Sequence, residues 1–555
     1  MGLIGGVGRV RFYSLLWEEV AMKTVTTAML VVTLLTPLPV CGQEDPTPAV
    51  SIHTAALAGN IEAVRQHIEV GSDLNEKDAW GSTPLIIASA FGKTEVARAL
   101  IEAGADLNIT NSDGATALHT AAFLCRTEIV EALLDKGANR YLRDNFGSTA
   151  LESVADPFDD VKDIYDTIRQ GLGPLGLRLD YERIRATRPR IAEMLRPATE
   201  ELEAVDYTPL PGDDWKVSTP AEQGLDPMLV AELYLEATGL STLYGLLIVK
   251  NGHLIAEEYF NEGAVDQLSG RQSVTKSYTS ALVGVALDQG YLSSVDQKMM
   301  AFFPELAGQI DDPRKEGITI RDLLQMRAGY PDEERTPPYF DTLFFSDDWH
   351  WLPHIFDFPL TSDPGTEFAY SNLTSHLLAV IAARAVNTDL KSYGQEFLFS
   401  AIDAQVGDWS SDADGYRFGC FEISFTARDM AKFGSLYLSD GEYQGNRVLS
   451  ADWVRESLQR YSEGINRTGE TSSKKGRYFR DIGYGYQWWS ARVGEHHFDY
   501  AAGHGGSLII LLDELDMIIV TTADPLYELP AEDGWKFEVA IINLVGKFID
   551  SLPKE

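Results

Sequence analysis

Gln272-Ser273-Val274-Thr275-Lys276-Ser277, followed by Tyr278-Thr279-Ser280-Ala281-Leu282-Val283 and ended by Gly290, is the stretch on which the fold of this chain turns. Its apolar and small residues predict a helix over 278–289 that Gly290 terminates. Residues three apart share one face of a helix, so the Lys276 amine reaches the Ser273 hydroxyl across a single turn. A serine hydroxyl is a weak nucleophile by itself and needs such a neighbour, and a helix amino terminus offers backbone donors to developing negative charge. Upstream, residues 243–250, the turn Asn251-Gly252 and residues 253–260 predict a β-hairpin, so a sheet begins before the helix. Ser-x-x-Lys recurs at Ser472/Lys475 in a charged loop and at Ser551/Lys554 in a proline-bearing tail. Only Ser273 opens an apolar helix behind a hairpin.

Two further stretches lie downstream. Tyr370-Ser371-Asn372 follows the turn Pro364-Gly365-Thr366 and precedes an apolar helix over 377–385. Gly503-His504-Gly505-Gly506-Ser507 leads into a strand over 508–512, a turn near Glu514 and a return strand over 517–522. Glycines beside an edge strand allow a substrate close to the backbone. Each signal is modest alone: Tyr-x-Asn also occurs at Tyr259/Asn261, and a lone His in a glycine-rich loop is ordinarily structural. Together, Ser-x-x-Lys, Tyr-x-Asn and a glycine-flanked His before a strand, in this chain order, resemble the serine β-lactamase and penicillin-binding superfamily. The likeness is to its class C-like branch of esterases, D-aminopeptidase-like and 6-aminohexanoate-dimer hydrolase-like enzymes, and it covers nearly all of 215–550. Residues 318–324, 426–434 and 483–489 support it.

The resemblance implies an antiparallel sheet flanked by helices and a metal-independent, cofactor-free serine hydrolase working through an acyl-enzyme. Residue by residue, it makes Ser273 the nucleophile, Lys276 its activating partner and Tyr370 the proton shuttle. It places Asn372 on the Lys or the substrate amide, puts the Ser273 and Ser507 N–H groups in an oxyanion hole, and sets His504 and Gly506 beside the substrate. Where relatives that process β-lactams or cell-wall peptides mostly carry Lys-Thr-Gly, this chain has His504-Gly505-Gly506. A neutral His and a Gly hold a substrate carboxylate poorly, so an ester or amide without that carboxylate is expected. Met326-Arg327-Ala328 likewise stands where His-Thr-Ser is usual. Trp349, Trp351, Trp488 and Trp489 fit either an apolar cleft or the core, and the loop 331–348 is expected to shape the pocket.

A second organisation precedes this one. Gly81-Ser82-Thr83-Pro84-Leu85, Gly114-Ala115-Thr116-Ala117-Leu118 and Gly147-Ser148-Thr149-Ala150-Leu151 recur every 33 residues, and Gly71, Gly104 and Gly137 repeat at the same step. This resembles the ankyrin repeat over about 50–156, an all-α solenoid whose units bury their apolar faces only by stacking. Cys125 stands where Gly59 and Gly92 end a helix and reads as a packing substitution. Ankyrin arrays imply a protein partner; a rigid spacer or cap is the alternative. The expected organisation is therefore multidomain: an amino-terminal extension and signal over 1–42, ankyrin repeats over 43–156, a helical cap and linker over 157–214, and the hydrolase domain over 215–555.

The whole chain has 555 residues, a net charge of −37 and 45% hydrophobic residues, so it folds as several cored units and repels phosphate backbones. Nucleic acid is not an expected partner. Met22-Lys23 and the apolar run 28–35 predict an export signal, hence a periplasmic or extracellular protein. Leu38-Pro39-Val40-Cys41 suits lipid anchoring at Cys41, and cleavage after Gly42 suits an unanchored product. With three cysteines in all, a disulfide framework is not expected. The competing function is a catalytically weak sensor or adaptor whose role is protein binding.

Overall fold

The computed structural model describes residues 48–306, 308–310, 312–332, 336, 350–352, 358–465, 476–525 and 531–554. The expected signal, Cys41, Ser472/Lys475, Trp349 and nearly all of loop 331–348 lie outside the described residues. The chain divides into two compact units between Thr199 and Glu200.

In the first unit, helix pairs α1 (Ile52–Ala58) and α2 (Ile61–Glu69), α3 (Pro84–Phe91) and α4 (Thr94–Glu102), α5 (Ala117–Phe123) and α6 (Thr127–Asp135) stack in sequence. The period is visible in the caps. Thr83 and Thr116 each accept a hydrogen bond from the backbone three residues on. Asp78, Asn111 and Asp144 each brace their own loop, accepting from Trp80 and Ser82, from Asp113 and Ala115, and from Phe146 and Ser148. Gly59 and Gly92 close α1 and α3 at φ 74° and 64°, and Cys125 takes the same left-handed conformation (φ 53°) after α5. Its side chain is fully buried, the packing role expected for it. Leu85, Ala88, Leu118, Ala121 and Ala122 fill the seam between successive pairs. After the short helix α7 (Glu152–Ala155), α8 (Phe158–Leu172) and α9 (Tyr181–Leu195) bury Phe158, Ile164, Tyr165, Ile184 and Ile191 in that same core, so they cap the array.

The second unit is built on a seven-stranded antiparallel sheet. Its members are β1 (Leu243–Lys250), β2 (His253–Tyr259), β7 (Arg480–Tyr484), β8 (Trp489–Val493), β9 (His496–Gly503), β10 (Ser507–Leu512) and β11 (Met517–Ala523). The order across it is β2-β1-β11-β10-β9-β8-β7. Short hairpins β3 (Ser269–Gly270) with β4 (Ser424–Phe425) and β5 (Glu442–Tyr443) with β6 (Asn446–Arg447) stand apart from it. The central strands read as unbroken apolar runs because both faces are covered. On one face Leu247, Val249, Ile509 and Leu511 share a core with α11 (Thr275–Asp288), α13 (Asn372–Val386) and α14 (Ala427–Leu438), of which α14 packs directly on β1, β10 and β11. On the other, Leu246, Ile248, Ile510 and Ile519 meet α10 (Pro227–Ala237) and α15 (Ala531–Asp550). The five-residue helix α12 (Ile320–Leu324) lies beside α13.

Residues 200–214, expected as linker, belong to this second unit. Glu257 donates its N–H to Tyr207 O (2.9 Å), and Leu210 N–H donates to the Glu257 carboxylate (2.8 Å). Asp214 and Glu257 both pair with Arg428 (2.8 and 2.6 Å). The prolines that mark a linker in the sequence instead hold an extended segment whose polar groups satisfy a buried ion pair.

Candidate active site

Ser273 sits in a 3-10 turn, Gln272–Val274, that runs directly into α11. The turn is fixed on three sides. Arg271 N–H donates to Ile423 O (2.9 Å), extending the β3–β4 pairing by one residue. Gln272 occupies the left-handed region at φ 47°, a conformation a non-glycine residue keeps only when its surroundings enforce it. Gly503, at the end of β9, approaches so closely that a Cβ there would lie 2.3 Å from Arg271 O.

From α11 the Lys276 side chain returns toward this turn, leaving the residue only 1% exposed. Its Nζ has three oxygen neighbours: Ser273 Oγ at 2.9 Å, Asn372 Oδ1 at 2.6 Å and the backbone carbonyl of Cys420 at 3.0 Å. The same nitrogen lies 4.9 Å from the centre of the Tyr370 ring. Asn372 can do this because Ser371 caps α13, accepting from Thr374 N–H at 3.2 Å, which makes Asn372 its first residue and leaves Tyr370 just before it. The Tyr370 ring stacks on Trp489 (centroids 5.4 Å apart, planes 25° apart), with Phe368 and Tyr484 completing an aromatic wall. Four of the expected residues, Ser273, Lys276, Tyr370 and Asn372, thus meet around one amine.

Chemistry follows from the partners. Lysine carries donors only, and Nζ donates to each of the three oxygens, Ser273 Oγ, Asn372 Oδ1 and Cys420 O, so the last two hold the amine in place against the Ser273 hydroxyl.

His504, Gly505 and Gly506 form the turn between β9 and β10, beside the Ser273 turn. Gly505 and Gly506 have φ 88° and 102°, and a Cβ at Gly505 would lie 2.1 Å from Asp524 O. Thr521 Oγ1 donates to Gly506 O (2.6 Å), and Ser507 is buried as β10 begins. The His504 ring points to α15: Nδ1 lies 3.2 Å from Glu538 Oε2, and the ring meets Trp535 edge-on at 4.7 Å. The tryptophans divide: Trp351 and Trp488 are core, while Trp489 backs the Tyr370 ring.

Two contributors escaped sequence reasoning. The Cys420 carbonyl is a main-chain acceptor and has no side-chain signature. Gln487, buried and left-handed at φ 62°, joins three elements at once. Its Nε2 donates to Leu323 O and Leu324 O (both 3.0 Å), its Oε1 accepts from Ser375 of α13 (2.7 Å), and its carbonyl accepts from Ser277 of α11 (2.8 Å). The Gly-Tyr-Gly-Tyr run before it was the available signal.

A sequence profile of ankyrin repeats (three copies) matches residues 52–144. The 6-aminohexanoate-dimer hydrolase of Paenarthrobacter ureafaciens is 28% identical over 49% of this chain and 71% of its own. Beta-lactamase-like protein 2 of Dictyostelium discoideum is 30% identical over 22% of this chain and 23% of its own. Among solved structures, an octameric penicillin-binding protein homologue from Pyrococcus abyssi aligns with a TM-score of 0.42 and 16% identity, covering 58% of this chain and 78% of that one. The beta-lactamase profile matches residues 238–541, more than half of the chain, from just after α10 into α15, so this protein belongs to the beta-lactamase family of hydrolases and carries ankyrin repeats ahead of that domain.

Proposed function

We propose that the second unit is a serine hydrolase that cleaves an ester or amide through an acyl-enzyme on Ser273. The observation that carries this is the Lys276 amine, 2.9 Å from Ser273 Oγ and held from behind by two oxygens that can only accept. Ser273 Oγ attacks the carbonyl carbon, and its proton passes to the Lys276–Tyr370 pair. Collapse of the tetrahedral adduct breaks the bond to the leaving group, which takes up that proton. Water then attacks the acyl ester by the reverse relay, releasing the acid and restoring the serine. The N–H groups of Ser273 and Ser507 stabilise the oxyanion, each such donor contributing about 3 kcal/mol.

Substrate choice follows from the β9–β10 turn. His504 is occupied by Glu538, and no lysine stands there, so substrates need no carboxylate at that end. A fluorophosphonate probe followed by peptide mass spectrometry tests the mechanism: labelling at Ser273 that vanishes in Ser273→Ala supports it. An unlabelled, folded wild type refutes it and favours the adaptor alternative. Rates on p-nitrophenyl esters, nitrocefin and D-amino-acid amides then rank the acyl groups, with esters expected above nitrocefin. The ankyrin unit fits a protein partner, and residues 22–42 fit export, which amino-terminal sequencing of secreted material tests.

A further inference from the structure

Two residues before Ser273, Arg271 is 1% exposed, and among the described residues no carboxylate pairs with it. Its Nη1 has no hydrogen-bond partner there, and its closest electrostatic neighbours are the phenols of Tyr278 and Tyr259. Burial pulls the guanidinium down to about 10, which still leaves it cationic at neutral pH. A buried cation without a counter-ion works against folding, so its contacts should show what it secures. Apart from Nη2 to Gln267 O (3.3 Å), they converge on one segment. Nε and Nη2 both donate to Phe425 O (2.8 and 2.5 Å), while the Arg271 N–H donates to Ile423 O (2.9 Å). The same segment supplies Cys420 O to Lys276, and Ile423 N–H donates to Thr275 Oγ1 (3.3 Å). The fork therefore ties Arg271, the residue preceding the left-handed Gln272, to the segment 420–425 whose Cys420 carbonyl holds the lysine.

We propose that Arg271 is a positioning residue for acylation, whose two-pronged hold on Phe425 O keeps Gln272 left-handed and so aims Ser273 Oγ at Lys276. This rests on Ser273 being the nucleophile. A misplacement of about 1 Å at a reacting atom costs about 100-fold in rate, and lysine, a single-point donor, cannot reproduce the fork.

The test measures fluorophosphonate labelling rate at Ser273, kcat and KM on a p-nitrophenyl ester, and melting temperature, for wild type, Arg271→Met and Arg271→Lys. Arg271→Met should label about 100-fold more slowly per folded molecule and lose kcat with KM little changed. Its melting temperature should be equal or higher, since an apolar side chain replaces a buried charge. Arg271→Lys should label about 10-fold more slowly and decides the matter alone should Arg271→Met not fold. Labelling within twofold of wild type per folded molecule, or a rate that falls only as the folded fraction falls, overturns the proposal. Absence of Ser273 labelling in the wild type overturns the hydrolase mechanism as well, so the two failures are told apart by that control.

Discussion

Replacing Asn372 by leucine tests the contact that orients the Lys276 amine. The two side chains are close in volume, so little cavity forms, and what is lost is the acceptor 2.6 Å from Lys276 Nζ. Lys276 is 1% exposed, so water does not readily replace that acceptor. A hydrogen bond to a charged or strongly polar group is worth about 2 kcal/mol, and felt in the acylation transition state this is about 30-fold in rate. The amine then loses one of the two oxygens that hold it against Ser273. Stopped-flow measurement of the p-nitrophenolate burst gives the acylation rate directly. The expected result is a burst about 30-fold slower with KM within threefold of wild type. A burst within twofold of wild type, or a loss carried entirely by KM, would show that Asn372 serves the substrate or nothing, and would refute its role in holding the amine.

Three other outcomes follow. His119 of the repeat array accepts from Thr116 N–H at Nδ1 (3.3 Å) and faces Ser148 O with Nε2 (3.1 Å), and burial pulls it down to about 4. Its folded value lies below the unfolded one, so stability is complete above about pH 6.5 and drains as pH falls toward 4, by at most about 3 kcal/mol; chemical denaturation across pH should show this slope, and His119→Gln should flatten it. Gln487→Met removes three side-chain hydrogen bonds, those to Leu323 O and Leu324 O and the one from Ser375, costing about 3 kcal/mol; calorimetry should show the second unit melting about 4 °C lower while the repeat unit is unmoved. Gly503→Ala would set a Cβ 2.3 Å from Arg271 O, so the backbone under Ser273 must move; Ser273 labelling is expected to slow more than 10-fold, and an unchanged rate would mean the turn is not braced by β9.

Much of this was legible because it is local. The 33-residue period, the Asn251-Gly252 hairpin, and Ser273 and Lys276 one turn apart are short-range facts that the backbone obeys directly. Tyr370 and Asn372 could be placed beside them only through the chain order of the motifs. Illegible were features that depend on which distant segment arrives. The Cys420 carbonyl, the junction at Gln487 and the turning of His504 toward Glu538 are settled by packing between elements far apart in sequence. Residues 200–214 misled for a related reason: their prolines signal an irregular path, and composition cannot say that Glu257 and Arg428 wait there to be satisfied.

The sheet order has a consequence for biosynthesis. β1 lies between β2 and β11, with Leu247 opposite Val520, so one of the first strands of the unit is completed by the last. A nascent hydrolase domain therefore cannot close its centre until the polypeptide beyond Ala523 has left the ribosome, whereas the repeats, whose pairings are between neighbours, can mature during translation. A transcript truncated before Met517 should accordingly yield a protease-resistant repeat fragment attached to an unstructured, inactive remainder.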